Sequence, residues 1–307
     1  MTTLRFDGKV GLITGVGPGG LGHAYAKLLA SRGATLVIND LGVDWRGNST
    51  SPGADAVVAE LRDAGAEAIA VHGDVAHDAE RIVAAAVERY QHLDFLVNNA
   101  GAGGDFDTTV GVHLGGSYRM TAAAWPWLEK SGHGRVVNIA SNATWGSDGS
   151  PAYGAAKSGV IALTRVQARN GLKPGIGVNV VLPSAWANSL AGLPDPAVRD
   201  FLEARFAAAH VAGFVAYLCH ESASQTGLAF SVGGGVVARV VQAKSPGYVD
   251  PSGDPDVWAA HIDEVTDLTG LIVPPSMWGD VRLLAEAIGP EAVAEFDALD
   301  FSMLGGL

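Results

Sequence analysis

Cysteine is almost missing from this chain: Cys219 stands alone among 307 residues. That excludes an intramolecular disulfide framework and any cysteine-rich zinc site, and no metal centre is expected. Charge is also scarce. Asp, Glu, Lys and Arg make up 17% of the residues, too few for a self-repelling disordered chain. The charge present leans acidic, with 20 Lys and Arg against 32 Asp and Glu and a net charge of −12. This excludes the broad basic face that nucleic-acid binding requires, though a local basic pocket for a phosphorylated ligand remains open. No apolar run reaches the length of a membrane span, so no membrane partner is expected. The opening residues, MTTLRFDGKV, lack the apolar core of a secretory signal, and MLGGL at the end is no receptor-read address. A soluble, cytoplasmic protein is the expectation.

Glycine and apolar side chains are abundant. The chain holds 41 glycines without a Gly-X-Y period, which points to tight turns and close backbone approaches. Apolar residues reach 48%, enough for a sizeable core. Short β-branched runs alternate with Ala-rich helical stretches. Strands are expected at residues 10–14, 35–39, 68–71, 95–97, 135–139, 178–182 and 228–232, and helices at 20–31, 54–64, 78–90, 112–130, 153–170 and 211–220. Continuous apolar strands between helices imply a parallel sheet covered on both faces. Right-handed crossovers make it an α/β, doubly wound sheet of about seven strands, a Rossmann fold. The pattern breaks near residue 240, where SPGYVDPSGDPD reads as a linker before two amphipathic stretches at 257–268 and 278–288. The expected division is residues 1–239 as the doubly wound domain, with 240–307 as a helical C-terminal extension.

The first strand runs into Thr14-Gly15-Val-Gly-Pro-Gly-Gly20-Leu21-Gly22 and then the first helix. Ligands of doubly wound sheets bind at the carboxyl ends of the strands. Glycines there let the backbone approach a pyrophosphate, and the helix N-terminus supplies N–H donors and a positive dipole end. A tight strand–helix turn explains such a loop equally well in isolation. Asp40 follows the second strand, 18 residues after Gly22. A carboxylate there accepts both ribose hydroxyls of an adenosine and repels a 2′-phosphate, which favours NAD over NADP. Arg46, nearby in the following insertion, is the residue that opposes this preference. Asp74 after the third strand is either an acceptor for an adenine amino group or a helix N-cap.

Tyr153 and Lys157 lie four apart at the start of a long helix, and so share a face. An unperturbed phenol is too weak a base at neutral pH, and a nearby ammonium favours its ionised form. Such a pair can move a proton while hydride leaves carbon. Ser141, just past the fifth strand, suits a hydrogen bond to the reacting oxygen, or is an ordinary strand-end cap.

Taken together, Thr14-Gly15…Gly20-Leu21-Gly22, Asp74, Asn98-Asn99-Ala100-Gly101, Ser141 and Tyr153-x-x-x-Lys157 resemble the short-chain dehydrogenase/reductase family over roughly residues 7–235. Within it, Val37–Gly42, the insertion Val43–Gly53, Val112-His113-Leu114 and Leu218–Ser222 are similar to the (3R)-hydroxyacyl-CoA dehydrogenase units of peroxisomal multifunctional enzymes and to related bacterial dehydrogenases of steroid breakdown. The resemblance implies that Tyr153 is the acid/base, that Lys157 lowers its pKa and holds the nicotinamide ribose, and that Ser141 polarises the substrate oxygen. His113, where the family often has Asn, would hold a proton-relay water or simply pack. Gly15, Gly20, Leu21, Gly22, Asp40, Asp74, Val75, Asn99, Ala100, Gly101 and Pro183, with Tyr153 and Lys157, would line an NAD site. The implied activity is NAD-dependent oxidation of a secondary alcohol on a small-molecule substrate, a 3-hydroxyacyl-CoA or steroid-type compound, by a homodimer or homotetramer. A free hydroxysteroid is the alternative substrate, and a catalytically silent nucleotide-binding scaffold the alternative class.

Three departures accompany the resemblance. The glycine loop is one residue longer than usual around Pro18. Ser141 precedes Tyr153 by 12 residues, slightly closer than the family spacing. Only 10 residues separate Gly101 from Val112, a shortening that would widen the substrate entrance or alter subunit packing. Trp145 and Trp186, after strands five and six, read as an apolar substrate wall or as core. Arg199, Arg205, Arg239 and Lys244 are candidate cations for the phosphates of a CoA tail.

Overall fold

The computed structural model describes residues 3–43, 47–49, 53–146, 149–187 and 194–299. The chain divides into two compact units, Met1–Val240 and Val241–Leu307.

The first unit is built on one sheet. Its strands are β1 (Val10–Thr14), β2 (Thr35–Asp40), β3 (Ala68–His72), β4 (Phe95–Asn98), β5 (Arg135–Ile139), β6 (Gly177–Ser184), β7 (Ala229–Gly233) and β8 (Val236–Val240). They lie in the order β3-β2-β1-β4-β5-β6-β7-β8, and every neighbouring pair is parallel except β7–β8. Helices cover both faces: α1 (Leu21–Ser31), α2 (Gly53–Asp63), α3 (Ala79–Tyr90), α4 (Phe106–Val110), α5 (Ser117–Lys130), α6 (Pro151–Gly171), α7 (Pro196–Arg205) and α8 (Ala208–Cys219). The central strands β1, β4 and β5 are buried along their whole length, as expected where both faces are covered. Core side chains fall into separate clusters on the two sides of the sheet, with Leu36, Ile38 and Val215 in one and Leu12, Leu96 and Met120 in the other. Gly11 sits in mid-strand because the ring of Phe95 occupies the space of its missing side chain.

The sheet exceeds the expected seven strands by one. Gly234 and Gly235, with φ of +58° and +82°, close a two-residue hairpin after β7. Double positive φ suits the right-handed twist of a hairpin, and only glycine adopts it freely. The expected strands stop at residues 228–232 and do not include β8. Nor do the expected helices include α7, whose burial pattern carries no apolar stripe. The expected helix over 112–130 is two pieces, a π-helical turn at Gly111–Gly116 and α5, and α4 precedes them.

Strand order reverses between β1, which leads outward through β2 to β3, and β4, which leads the other way. The loops that follow β1 and β4 therefore diverge and open a crevice at their carboxyl ends.

The second unit contains α9 (Pro255–Ala260), α10 (Ile262–Thr266), α11 (Met277–Ile288) and α12 (Pro290–Asp297). A single antiparallel bridge joins Lys244 to Ile272. Ala285 and Phe296 are its buried apolar residues, packed with Trp278, Ala292 and Val293. No single helix among the described residues is long and apolar enough to cross a membrane. The bent pair α7 and α8 passes that test together, but α8 buries Val211, Val215 and Leu218 in the core.

Candidate active site

The crevice begins where β1 ends. The Thr14 hydroxyl accepts the amide N–H groups of Asn99 and Ala100 at 3.0 and 3.1 Å. In return Asn99 Nδ2 donates to the carbonyls of Thr14 and Gly15 at 2.9 and 2.8 Å. The two loops are thus joined by four hydrogen bonds, none of which needs water. Gly15 takes φ of +66°, and a Cβ there would sit 2.5 Å from Ala100 Cα. This close approach fixes Gly15 against Ala100 in the sequence motifs.

The glycine loop then delivers α1. Gly20 is its N-cap and offers no side-chain cap, and its first turn holds no acid. By contrast Asp105, Ser150, Asp195, Asp254 and Ser276 each cap their own helices through a side-chain oxygen. An uncapped N-terminus leaves backbone N–H donors and the positive end of the helix dipole for an anion. Asp40, at the end of β2, lies beside this loop: a Cβ on Gly17 would be 3.9 Å from its Oδ2. Its Oδ1 accepts the Gly42 amide at 2.6 Å, and burial raises its pKa. One carboxylate oxygen therefore faces the loop while the other is held. The donor set fits a dinucleotide, with N–H groups for a pyrophosphate and a carboxylate for a ribose diol.

Asp74 does not cap α3. Asp78 is the N-cap residue, and Asp74 Oδ1 closes a local turn by accepting the Ala76 amide at 2.8 Å. Val75 is buried against Gly116, and Leu21 and Pro183 are half-buried. Asn98 turns inward as scaffold, donating to Thr121 Oγ1 at 2.9 Å and Asn138 Oδ1 at 2.8 Å. Arg46 lies outside the described residues.

The second cluster forms where β5 ends. Ser141 starts a 3₁₀ turn over Asn142–Trp145, and its hydroxyl accepts the Ala143 amide at 3.1 Å. Ser150 caps α6 by accepting the Tyr153 amide, and Pro151 occupies the first turn. This start places Tyr153 within hydrogen-bonding reach of Ser141. Lys157, one turn further, is buried, and its Nζ donates to the Ile139 carbonyl at 2.6 Å. The π-helical turn brings His113 against the same tyrosine, rings edge to face at 5.1 Å. Its Nε2 lies 3.0 Å from the Ala102 carbonyl oxygen and 3.3 Å from the Ala102 amide. π-Turns inside helices often mark functional sites.

The charge relation of this cluster differs from the sequence expectation. Burial raises the Tyr153 phenol, opposed by the Ser141 hydrogen bond. Burial alone brings Lys157 down to about 7. His113 falls to about 3, by burial first and the Lys157 charge second, so its ring is neutral. Lys157 directs its proton at Ile139 rather than at the phenol, with Nζ 5.8 Å from the ring centroid. Desolvation therefore outweighs the expected lowering of the tyrosine by its neighbouring ammonium.

Of the two tryptophans, Trp145 is exposed at 66%, which excludes a core role, and Trp186 is half-buried. Of the four proposed cations, Arg205 and Arg239 are exposed, Arg199 is partly buried on α7, and Lys244 is engaged by Asp280 in an ion pair. The hydrogen bonds of Thr14 to the β4 loop and of His23 to the glycine loop are not among the sequence expectations. A hydroxyl residue ending an apolar strand, and a histidine directly after the last glycine of the loop, were the available signals.

The family model for short chain dehydrogenases matches residues 9–192. The peroxisomal hydratase-dehydrogenase-epimerase of Neurospora crassa is 36% identical over 95% of this chain and 34% of its own length. The structure of full-length peroxisomal multifunctional enzyme type 2 from Drosophila melanogaster superposes with a TM-score of 0.76 at 30% identity, over 93% of this chain and 50% of that one. A short chain dehydrogenase from Mycobacterium avium gives 0.73 at 32% identity, over 85% and 95%. The chain thus spans between 28% and 60% of the length of the curated multifunctional relatives it matches.

Proposed function

This chain belongs to the short-chain dehydrogenase/reductase family of oxidoreductases, and on that premise we propose that it is an NAD-dependent dehydrogenase. It oxidises a secondary alcohol on a bulky apolar skeleton, a 3-hydroxyacyl-CoA or a steroid-type thioester. One observation carries the reading: Ser141, Tyr153, Lys157 and His113 converge at the end of β5, in the same sheet whose β1 loop leads to an uncapped helix. The glycine loop and α1 would hold the pyrophosphate, Asp40 the adenosine ribose, and Asn99, Ala100, Gly101, Val75 and Pro183 the walls. A bound nicotinamide dinucleotide supplies the hydride acceptor. Ser141 Oγ holds the substrate oxygen, and Tyr153 Oη, once it has released its own proton to solvent, takes the hydroxyl proton as the carbon is oxidised. His113, neutral and buried, backs the tyrosine ring and keeps it aimed. Lys157 is fixed one turn beyond the tyrosine by its hydrogen bond to the Ile139 carbonyl, with Nζ 5.8 Å from the Tyr153 ring centroid.

NAD is favoured over NADP because Asp40 would repel a 2′-phosphate. A second substrate reading, a free hydroxysteroid, is favoured by the engagement of Lys244 with Asp280, which removes one cation from a CoA site. The exposed Trp145 suits either skeleton. A homo-oligomer paired through α5 and α6 is proposed from their many alanines, and a cytoplasmic location from the sequence; the multifunctional relatives named above are peroxisomal. Initial rates with NAD and NADP on 3-hydroxyacyl-CoAs, steroid-CoAs and free hydroxysteroids test the reading. Turnover of none of them supports a silent scaffold, and equal efficiency with NADP removes the role of Asp40.

A further inference from the structure

We propose that His23 is a positioning residue of the dinucleotide site, a latch that holds the lengthened glycine loop in its binding shape through Glu60. The proposal rests on the cofactor reading above and concerns residues outside it.

The loop is anchored at both ends. At its start the Val16 amide donates to the Asn39 carbonyl at 3.1 Å. At its end the Gly19 amide donates to His23 Nδ1 at 3.0 Å. Between them the Gly20 amide reaches the Gly17 carbonyl at a long 3.4 Å. Gly19 has φ of +75°, a left-handed conformation that has to be held in place. His23 is the third residue of α1, on the turn whose N–H groups face the proposed anion.

The hydrogen-bond roles of the ring are fixed by its neighbours. A backbone N–H can only donate, so Nδ1 is unprotonated and the proton sits on Nε2. Nε2 lies 2.8 Å from Glu60 Oε2 on α2, and Lys27 Nζ lies 2.6 Å from Glu60 Oε1. Glu60 is held ionised below its ordinary range, by Lys27 first and His23 next. The carboxylate therefore orients the imidazole as an acceptor for the loop, while Lys27 balances a negative charge near an anion site. The His23 side chain is 16% exposed, so the ring is held rather than mobile in solvent. Each loop hydrogen bond of this kind contributes a modest net stabilisation, here directed at loop shape.

Two substitutions separate this role from simple packing. His23→Asn keeps an oxygen acceptor close to the position of Nδ1. His23→Gln loses that acceptor but keeps an amide able to reach Glu60. NAD and ADP-ribose binding are measured by calorimetry, with thermal melting of each ligand-free variant alongside. The expected result is a five- to tenfold weaker Kd for both ligands in His23→Gln, about what one hydrogen bond supplies. His23→Asn returns to within about twofold of wild type by the same reasoning. Melting temperatures of the two variants agree with each other. Unchanged Kd in His23→Gln overturns the latch, as does equal loss in both variants accompanied by equal loss of melting temperature. Failure of the wild-type chain to bind either ligand or NADP overturns the cofactor reading itself, and the latch falls with it.

Discussion

The two units treat apolar side chains in opposite ways. In the first, Leu12, Ile13, Leu36, Ile38 and Leu96 are completely buried. In the second, Met277, Leu284 and Ile288 are 69%, 52% and 69% exposed. Together with Val281 they recur every three or four residues along one face of α11, while Ala285 and Trp278 occupy the packed face. Charge divides just as unevenly. Residues 241–307 carry 2 Lys and Arg against 12 Asp and Glu, a net −10, which leaves −2 for the other 240 residues. The only two cations of the second unit, Lys244 and Arg282, are ion-paired with acids of that unit. The acidity of the whole chain is therefore a property of its C-terminal quarter. The first unit carries almost no net charge of its own, so it sets up little general repulsion against an anionic cofactor or substrate. All of the candidate chemistry lies in the first unit, and its core is complete within that unit.

The sharpest way to break this comparison is at the site. Tyr153→Phe removes one hydroxyl and keeps the ring against His113. Turnover is expected to fall by roughly 10²–10⁴-fold, the usual contribution of general acid–base catalysis. NAD affinity should stay within about twofold, since the change removes one neutral hydroxyl. Stopped-flow hydride transfer and NAD titration check both, and near-normal turnover would remove Tyr153 from the mechanism.

Next in size is the core. Leu36→Ala in β2 deletes a fully buried side chain. A loss of about 2–5 kcal/mol is expected, from lost transfer and the cavity left behind. Urea unfolding followed by circular dichroism measures it. A loss under about 1 kcal/mol would mean that the core of the first unit is less tightly packed than this structure has it.

A smaller effect follows from the buried lysine. Lys157 has its pKa depressed to about 7 in the fold, against 10.5 ordinarily. Between those values the unfolded chain binds more protons than the folded one, so stability rises with pH across that window. The slope contributed by one group is at most about 1.4 kcal/mol per pH unit. His113, depressed to about 3 from 6.5, adds a second rise between those two values. Denaturant unfolding from pH 5 to 9 should show both, and Lys157→Met should flatten the alkaline part and, by removing a charge that depresses His113, shrink the acid part by less. An unchanged alkaline slope in that variant would place the titration on another group.

Much of this was legible in the sequence because the signals were local. β1 and β5 fall on their expected residues, since short runs dominated by apolar and β-branched residues and bounded by turns read as strand. The family motifs assign Ser141 and Tyr153 to one site, and the structure brings them within hydrogen-bonding reach. What escaped was set by packing. The Asn99–Thr14 exchange joins residues 85 positions apart, and His23 meets Glu60 across 37. The Tyr153 and Lys157 pKa directions depend on burial, which spacing does not report. β8 was hidden because its side chains are exposed on both faces and so carry no alternation.

The smallest expected effect sharpens the comparison most. Leu284→Ser places a hydroxyl on the exposed stripe of α11. If that stripe faces water in solution, the change loses no buried area and stability should shift by no more than about 0.5 kcal/mol, as for other surface substitutions. The same change at a buried position, like Leu36→Ala, would cost several times more. Pairing Leu284→Ser with Ile288→Ser doubles the polar insertion on one face without touching Ala285 or Phe296, which hold α11 against α12. Urea unfolding and light scattering on the double variant give two independent readings. Unchanged stability and unchanged mass mean that the stripe is water-facing and idle. A stability loss above about 2 kcal/mol means that it is covered in solution, and the contrast between the units disappears. A lower mass at the same concentration means that what covers it is a second copy of the chain, because only an intermolecular contact links a surface leucine to oligomer size.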